Sequence, residues 1–280
     1  MGGSSYNVPV RSASPGRSYS SKSDKAYSKT SHSHKDVLPL SDRRVGTDVK
    51  HPIVVALDGT GSMGDSAKIM LDKMPMFWGQ IEQKGYLEDP AISFAVVGDA
   101  YCDDAPLQIT QFEKAKAIHP WLEKLWLEGG GGGQTMESYD IAALFYNNKC
   151  DIDNAELPFF FFIGDEDYYR ELDNEPTEPI FQALMEKFNM FFIHWRYPTS
   201  SIDEKIVKSW RDLIGERLIV LQEPKAIVDV MLGLIAMVSG NRNLSEYIKD
   251  MKDRGQDDKR IKTVSEAIKE FEKEFVEEML

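Results

Sequence analysis

The stretch Ile53-Val54-Val55-Ala56-Leu57-Asp58-Gly59-Thr60-Gly61-Ser62-Met63-Gly64 decides the reading of this chain. Its first five residues are apolar and three of them are β-branched, the composition of a buried strand. The strand runs straight into an acid, then into glycines and hydroxyls. Asp58, Thr60 and Ser62 sit two apart, so a curled loop can aim three oxygens at one point. One carboxylate and two hydroxyls are hard donors that suit a cation such as Mg²⁺. Gly59, Gly61 and Gly64 supply the backbone freedom for the curl. The plainer alternative is a Ser/Thr-rich turn in which Asp58 caps the next helix.

Working outward, helical and strand patterns alternate. Residues 65–84 carry Ile69, Met70, Met74, Phe77, Trp78 and Ile81 at helical spacing, with Pro75 expected to kink or split the helix. Residues 91–97 and 107–112 read as the second and third strands. Residues 113–127 read as a helix burying Trp121, Leu122, Leu125 and Trp126. Five glycines at 129–133 make a loop, and Gln134-Thr135-Met136-Glu137-Ser138 opens a helix over 139–147. Residues 157–163, with four consecutive Phe, read as a strand buried on both faces that ends in Gly164-Asp165-Glu166-Asp167. Helices over 178–188, 202–214 and 225–238 then alternate with strands over 190–195 and 217–221. The pattern predicts an α/β fold: a doubly wound, mostly parallel sheet with helices on both faces. Ligand sites in such sheets lie outside the carboxyl ends of the strands, and the acid-bearing loops fall at that edge.

The chain has 280 residues, 42% hydrophobic and 28% charged, ordinary for a globular protein. The N-terminus has no apolar leader pattern, and the apolar run 227–238 contains Asp229 and is shorter than the roughly 20 residues of a membrane span. Two cysteines, Cys102 and Cys150, make no disulfide framework, so the expected setting is the cytoplasm, with no membrane partner. The net charge of −13 is unevenly spread: residues 1–50 hold nine Lys/Arg and four Asp/Glu, whereas the remainder is strongly acidic. An acidic body argues against nucleic-acid binding. Residues 1–47 read as a basic, disordered tail with eleven Ser before Lys35 and with Tyr6, Tyr19 and Tyr27 set among basic residues. The choices for it are a solvated tail or a segment that is phosphorylated or folds onto a partner, and Val37-Leu38-Pro39-Leu40 is its one apolar patch. Residues 48–240 form the domain. Residues 241–280 form a charged helical extension in which Ile261, Val264, Ile268, Phe271 and Phe275 recur three and four apart. That stripe is either a coiled-coil or partner-binding seam, or a face packed on the domain's own surface.

D-x-T-x-S after a hydrophobic strand resembles the metal-ion-dependent adhesion site of von Willebrand factor A (vWA) domains, and the two later acid loops follow in that family's order. The resemblance covers about residues 50–240 and implies the same doubly wound architecture. It implies metal ligation by Asp58, Thr60 and Ser62 in the first loop. Many vWA domains place a Thr in the second loop, while a sub-group resembling integrin β-subunits has G-G-D-x-P-E, whose Glu takes the role. Here Gly132-Gly133-Gln134-Thr135-Met136-Glu137 fits that spacing with Gln134 and Met136 in place of Asp and Pro, which favours Glu137 over its rivals Thr135 and Ser138. In the third loop, where the family has T-D-G, Asp165 matches the Asp, while the Thr has become Gly164 and the Gly has become Glu166.

The implied function is an interaction module, not an enzyme. A divalent cation (Mg²⁺, or Mn²⁺ or Ca²⁺) would be completed by an Asp or Glu carboxylate of a protein partner. Some lone cytoplasmic members of this kind work beside MoxR-type AAA+ ATPases. Taken singly, the acids also have plainer readings, Asp165 to Asp167 and Glu137 as negative charge at helix N-termini.

Two other classes compete. Leu57-Asp58-Gly59-Thr60 with Gly98-Asp99 and Asp103 resembles part of the haloacid-dehalogenase-like phosphatase signature, but the nucleophile position, two before Asp58, is Ala56. No P-loop or dinucleotide fingerprint is present. The other alternative is a component of a larger assembly, connected by its tails and carrying a purely structural metal.

Overall fold

The computed structural model describes residues 34–39, 43–63, 65–101, 103–127, 136–195 and 201–279. Six strands form the central sheet: β1 Pro52–Asp58, β2 Ala91–Val97, β3 Leu107–Ile109, β4 Phe159–Gly164, β5 Asn189–Trp195 and β6 Leu218–Leu221. Their spatial order is β6-β5-β4-β1-β2-β3. All neighbours are parallel except the β2–β3 edge pair. The described helices are α1 Asp65–Lys84, α2 His119–Leu122, α3 Tyr139–Lys149, α4 Glu178–Lys187, α5 Ser201–Ile214, α6 Ile227–Val238, α7 Leu244–Asp253 and α8 Asp258–Met279. The α/β, doubly wound and mostly parallel architecture expected from the strand pattern is the one observed.

The period-2 geometry of a strand sends alternate side chains into two separate cores. Ile53, Val55, Leu57, Phe159, Phe161, Phe191 and Ile193 meet α1, α6, α7 and α8 on one face. Val54, Ala56, Phe160, Phe162, Met190 and Phe192 meet α3, α4 and α5 on the other. The four Phe of β4 are fully buried, two on each side, each contributing roughly 1.5–3 kcal/mol by leaving water. Phe161 stacks on Phe191 at 5.7 Å between ring centroids, and Phe192 stacks on Trp210 at 3.9 Å.

Residues 65–84 form one α-helix through Pro75, so the proline does not split it in two. Two local expectations are corrected. The helix expected over 113–127 is a 3-10 turn, Ala115–Ile118, followed by the single turn α2. Its last part is drawn away by Gln108 of β3. The Gln108 side-chain amide donates to the carbonyl of Trp126 at 2.6 Å and accepts from the Trp126 N–H at 2.8 Å. Those backbone groups are thereby satisfied outside a helix. The third strand is correspondingly short, because Thr110 turns its hydroxyl to the N–H of Phe94 at 2.8 Å. Between β4 and α4 the chain also makes a small hairpin, Glu171–Leu172 with Glu175–Pro176. Its turn is Asp173-Asn174, with φ of 52° and 68°, a conformation those two residue types tolerate.

The domain is tied down at both ends. Within the span read as a disordered tail, residues 1–33 and 40–42 lie outside the described residues, but 34–39 and 43–47 are packed on the domain. Val37 is fully buried in the first core and Val45–Gly46 pairs with Cys150–Asp151. At the other end, Ile261, Val264, Ile268 and Phe271 are buried in the first core, with the Phe271 ring 5.0 Å edge-on to Phe191. The apolar stripe of α8 therefore packs on the domain itself. Among the described residues, no helix is long and apolar enough to cross a membrane.

Candidate metal centre

β1 and β4 lie side by side, and the connections after them leave to opposite sides of the sheet, to β2 and to β5. This is the switch point at which doubly wound sheets open a crevice. Leu57 is level with Ile163, so Asp58 and Gly164-Asp165 emerge together from adjacent strand ends.

Asp58 is fully buried and shapes its own loop. Its Oδ1 accepts from the Thr60 N–H at 2.8 Å and from the Thr60 hydroxyl at 2.6 Å. Its Oδ2 accepts from the Tyr139 hydroxyl at 2.9 Å. The Gly59 N–H donates to the carbonyl of Val97 at 2.8 Å, and a Cβ at Gly59 would run into the Val96 side chain. The hydroxyl of Thr60 spends its proton on Asp58, so its lone pairs are what it offers elsewhere. Ser62 follows in the 3-10 turn Gly61–Met63, and its side chain lies outside the described residues.

The second loop enters from α3. Met136–Glu137 pairs in parallel with Asp167–Tyr168, pinning the second acid loop to the third. The Ser138 N–H donates to the carbonyl of Gly98 at 3.2 Å, and the Ser138 hydroxyl accepts from the Ala100 N–H at 3.0 Å. Glu137 thus sits on a strand, with α3 beginning at Tyr139, and Asp165 and Glu166 lead into another short strand that begins at Asp167. The acids after β4 are therefore not at a helix N-terminus, whereas Glu137 directly precedes Ser138, the N-cap of α3. Thr135, Gln134 and the glycine run lie outside the described residues.

Asp58, Glu137 and Asp165 are all buried, at 0%, 6% and 3% exposure. Burial first, then the charge of Asp165, pushes the Asp58 carboxyl up to about 7, against the hydrogen bonds from Thr60 and Tyr139. Burial, then Asp58, Asp103, Asp99 and Glu166, drives Glu137 well above the usual carboxylate range. Burial, then Asp58 and Asp167, raises Glu166 to about 7. The charged groups acting most strongly on all three are acids. Glu137 Oε2 is buried without a hydrogen-bond partner among the described residues. In this arrangement, no three His, Cys, Asp or Glu side chains among the described residues close into a ligand cage. Both oxygens of Asp58 are engaged by Thr60 and Tyr139. The donor set nonetheless fits a hard divalent cation, because every donor is oxygen, the acids raise one another's carboxyls, and among the described residues Glu137 Oε2 has no hydrogen bond.

Sequence reasoning missed Tyr139, which it took only as the start of a helix. The loop that resembles part of a phosphatase signature lies between β2 and β3. Asp99 Oδ1 accepts from the Tyr101 N–H and the Tyr169 hydroxyl, both at 2.9 Å, while Asp103 Oδ2 accepts from the Asp99 N–H at 2.6 Å. These acids build their own turn, and Ala56 is a buried strand residue. His194 is fully buried, with Nε2 2.6 Å from Asp203 Oδ1.

No protein-family model matches the chain, and no curated protein matches it. Among solved structures, it is similar to the pilus adhesin SpaC of Lactobacillus rhamnosus GG, with 12% identity and a TM-score of 0.49 over 69% of this chain and 31% of the adhesin. It is similar to proximal thread matrix protein 1 of the mussel byssus, solved with a zinc-occupied MIDAS motif, with 9% identity and a TM-score of 0.48 over 68% of this chain and 49% of that one. It is also similar to BatB from Bacteroides thetaiotaomicron, with 11% identity and a TM-score of 0.42 over 68% of this chain and 99% of that one. The chain spans less than half the length of the adhesin and of the byssal protein. All three TM-scores lie below 0.5, so the fold assignment stands on the strand order and the switch point.

Proposed function

We propose that this chain is a protein-interaction module that holds a divalent cation at Asp58, Thr60, Ser62, Glu137 and Asp165 and uses it to bind an acidic residue of a protein partner. The observation that carries this reading is the set of buried acids at the switch point, in which Asp165 raises the Asp58 carboxyl and Asp58 raises that of Glu137, with Glu137 Oε2 lacking a hydrogen bond among the described residues. Such a set is costly to keep ionised alone and becomes favourable around a cation. The cation would supply a Lewis-acidic contact for a carboxylate from outside. Mg²⁺ is the first choice for an all-oxygen set, with Mn²⁺ and Ca²⁺ as alternatives. The reading is non-enzymatic, since Ala56 offers no nucleophile. A cytoplasmic setting and a MoxR-type AAA+ ATPase as partner extend the vWA resemblance and belong to the same proposal.

The test is titration calorimetry with Mg²⁺, followed by a pull-down with Mg²⁺ and again with EDTA. Heat of binding together with a partner lost only in EDTA supports the reading. No Mg²⁺ binding overturns it. Binding with a partner retained in EDTA makes the metal structural and moves the interaction to another surface.

A further inference from the structure

The third loop departs from the vWA pattern at Gly164, where the family has a Thr, and the reason lies across the core at Tyr139. A Cβ at Gly164 would fall on the Tyr139 hydroxyl, with the ring Cζ at 2.9 Å and the Asp58 Cβ at 3.2 Å. The space a side chain at 164 would take is filled by the phenol. Tyr139 is itself fully buried and clamped edge-on by Phe162, Phe192 and Trp210, with ring centroids 5.5, 5.2 and 5.6 Å away. Its hydroxyl is therefore placed by packing, and it donates to Asp58 Oδ2 at 2.9 Å.

We infer that Tyr139 is the positioning residue of this metal centre, fixing the Asp58 carboxylate by its phenol hydrogen bond, and that glycine at 164 is the space this requires. The inference rests on the metal reading above. Asp58 is gripped at both oxygens: Thr60 holds Oδ1 and Tyr139 holds Oδ2. The plane of the carboxylate is thereby set, and with it the direction of the Thr60 hydroxyl. A residue that orients a metal-site carboxylate from behind governs affinity without touching the ion, and losing such a partner commonly costs about 10–100-fold in metal binding. Tyr139 and Gly164 come from elements far apart in the chain, and each makes sense only with the other present.

The test measures the Mg²⁺ dissociation constant and, separately, the thermal midpoint in EDTA for wild type, Tyr139→Phe, Gly164→Ala and the double variant. Phe181→Leu, in the same aromatic cluster and away from Asp58, controls for loose packing. The expected result is a roughly tenfold or greater loss of affinity in Tyr139→Phe with little change of its EDTA midpoint. Gly164→Ala, which must push the phenol off Asp58, should lose a similar factor, and the double variant should lose no more than the larger single loss. Phe181→Leu should lower the midpoint and leave affinity alone. Tyr139→Phe with wild-type affinity, or an affinity loss matched by Phe181→Leu, overturns the assignment while leaving the metal centre standing. A wild type that binds no Mg²⁺ overturns the metal reading and this inference with it.

Discussion

Two groups of buried acids in this molecule are handled in opposite ways. Where the C-terminal helices meet the domain, each acid has its own cations. Asp229 of α6, 1% exposed, accepts from Arg254 at 3.1 Å and from Arg260 Nε at 2.6 Å. Asp250 of α7 meets Lys84 at 3.3 Å, Arg242 Nε at 2.9 Å and the Tyr86 hydroxyl at 3.0 Å. Burial pushes the Asp250 carboxyl up, but the hydrogen bonds from Tyr86, Arg242 and Lys84 outweigh it and leave the group below its ordinary value. At the switch point, Asp58 and Glu137 are driven up, and their strongest charged neighbours are acids. The difference separates two uses of a buried carboxylate. Matched with arginine, it fastens one element to another. Gathered with its own kind, it is the arrangement that the proposed cation would complete.

The largest expected effect lies on the matched side. Asp229→Ala leaves Arg254 and Arg260 without their buried partner and should cost about 3–5 kcal/mol in urea unfolding. Mg²⁺ affinity should be unchanged, and a fall in affinity would break the distinction between the two regions.

On the unmatched side, Asp58→Ala should abolish Mg²⁺ binding in calorimetry. It should cost at most about 1–3 kcal/mol in EDTA, from the orphaned Tyr139 hydroxyl, because removing one acid also relieves the others. Mg²⁺ affinity equal to wild type would remove Asp58 from the site.

The pH dependence should follow the same division. The folded, metal-free protein keeps a proton on Asp58 up to about 7, whereas the unfolded chain releases it near about 4. Folded protein therefore binds more protons over that window, and stability in EDTA falls as pH rises from about 4 to about 7. Saturating Mg²⁺ should abolish the fall, since the ion takes the ionised form. Asp250 has the opposite sign: its contribution is present above about 4 and is lost as pH drops through its lowered value. Thermal midpoints at pH 5 and pH 8, with and without Mg²⁺, check the first, and a series of midpoints running below about pH 4 checks the second.

The smallest effect sharpens the second loop. Glu137→Gln should weaken Mg²⁺ by about tenfold, near 1.4 kcal/mol, and more than Ser138→Ala or Thr135→Ala does. The reverse order would return the role to a hydroxyl.

By itself the sequence determined the layered sheet and the loops that matter. Both signals are local: alternation and apolar runs specify strands, and Asp58-Gly59-Thr60 announces a turn next to one of them. It also carried the α8 stripe, but not what the stripe faces. A row of apolar residues three and four apart is the same row whether it meets another chain or Phe191 of its own. Nor could it foresee that Gln108 would take both backbone groups of Trp126, or that Arg254 and Arg260 would meet at Asp229. Tertiary structure alone decided Tyr139. Its hydroxyl reaches Asp58, 81 positions away, because α3 packs over β1 and β4 and because Gly164 leaves it room. Long-range pairings of this kind are fixed by which faces are buried together, and no spacing within a single segment encodes them.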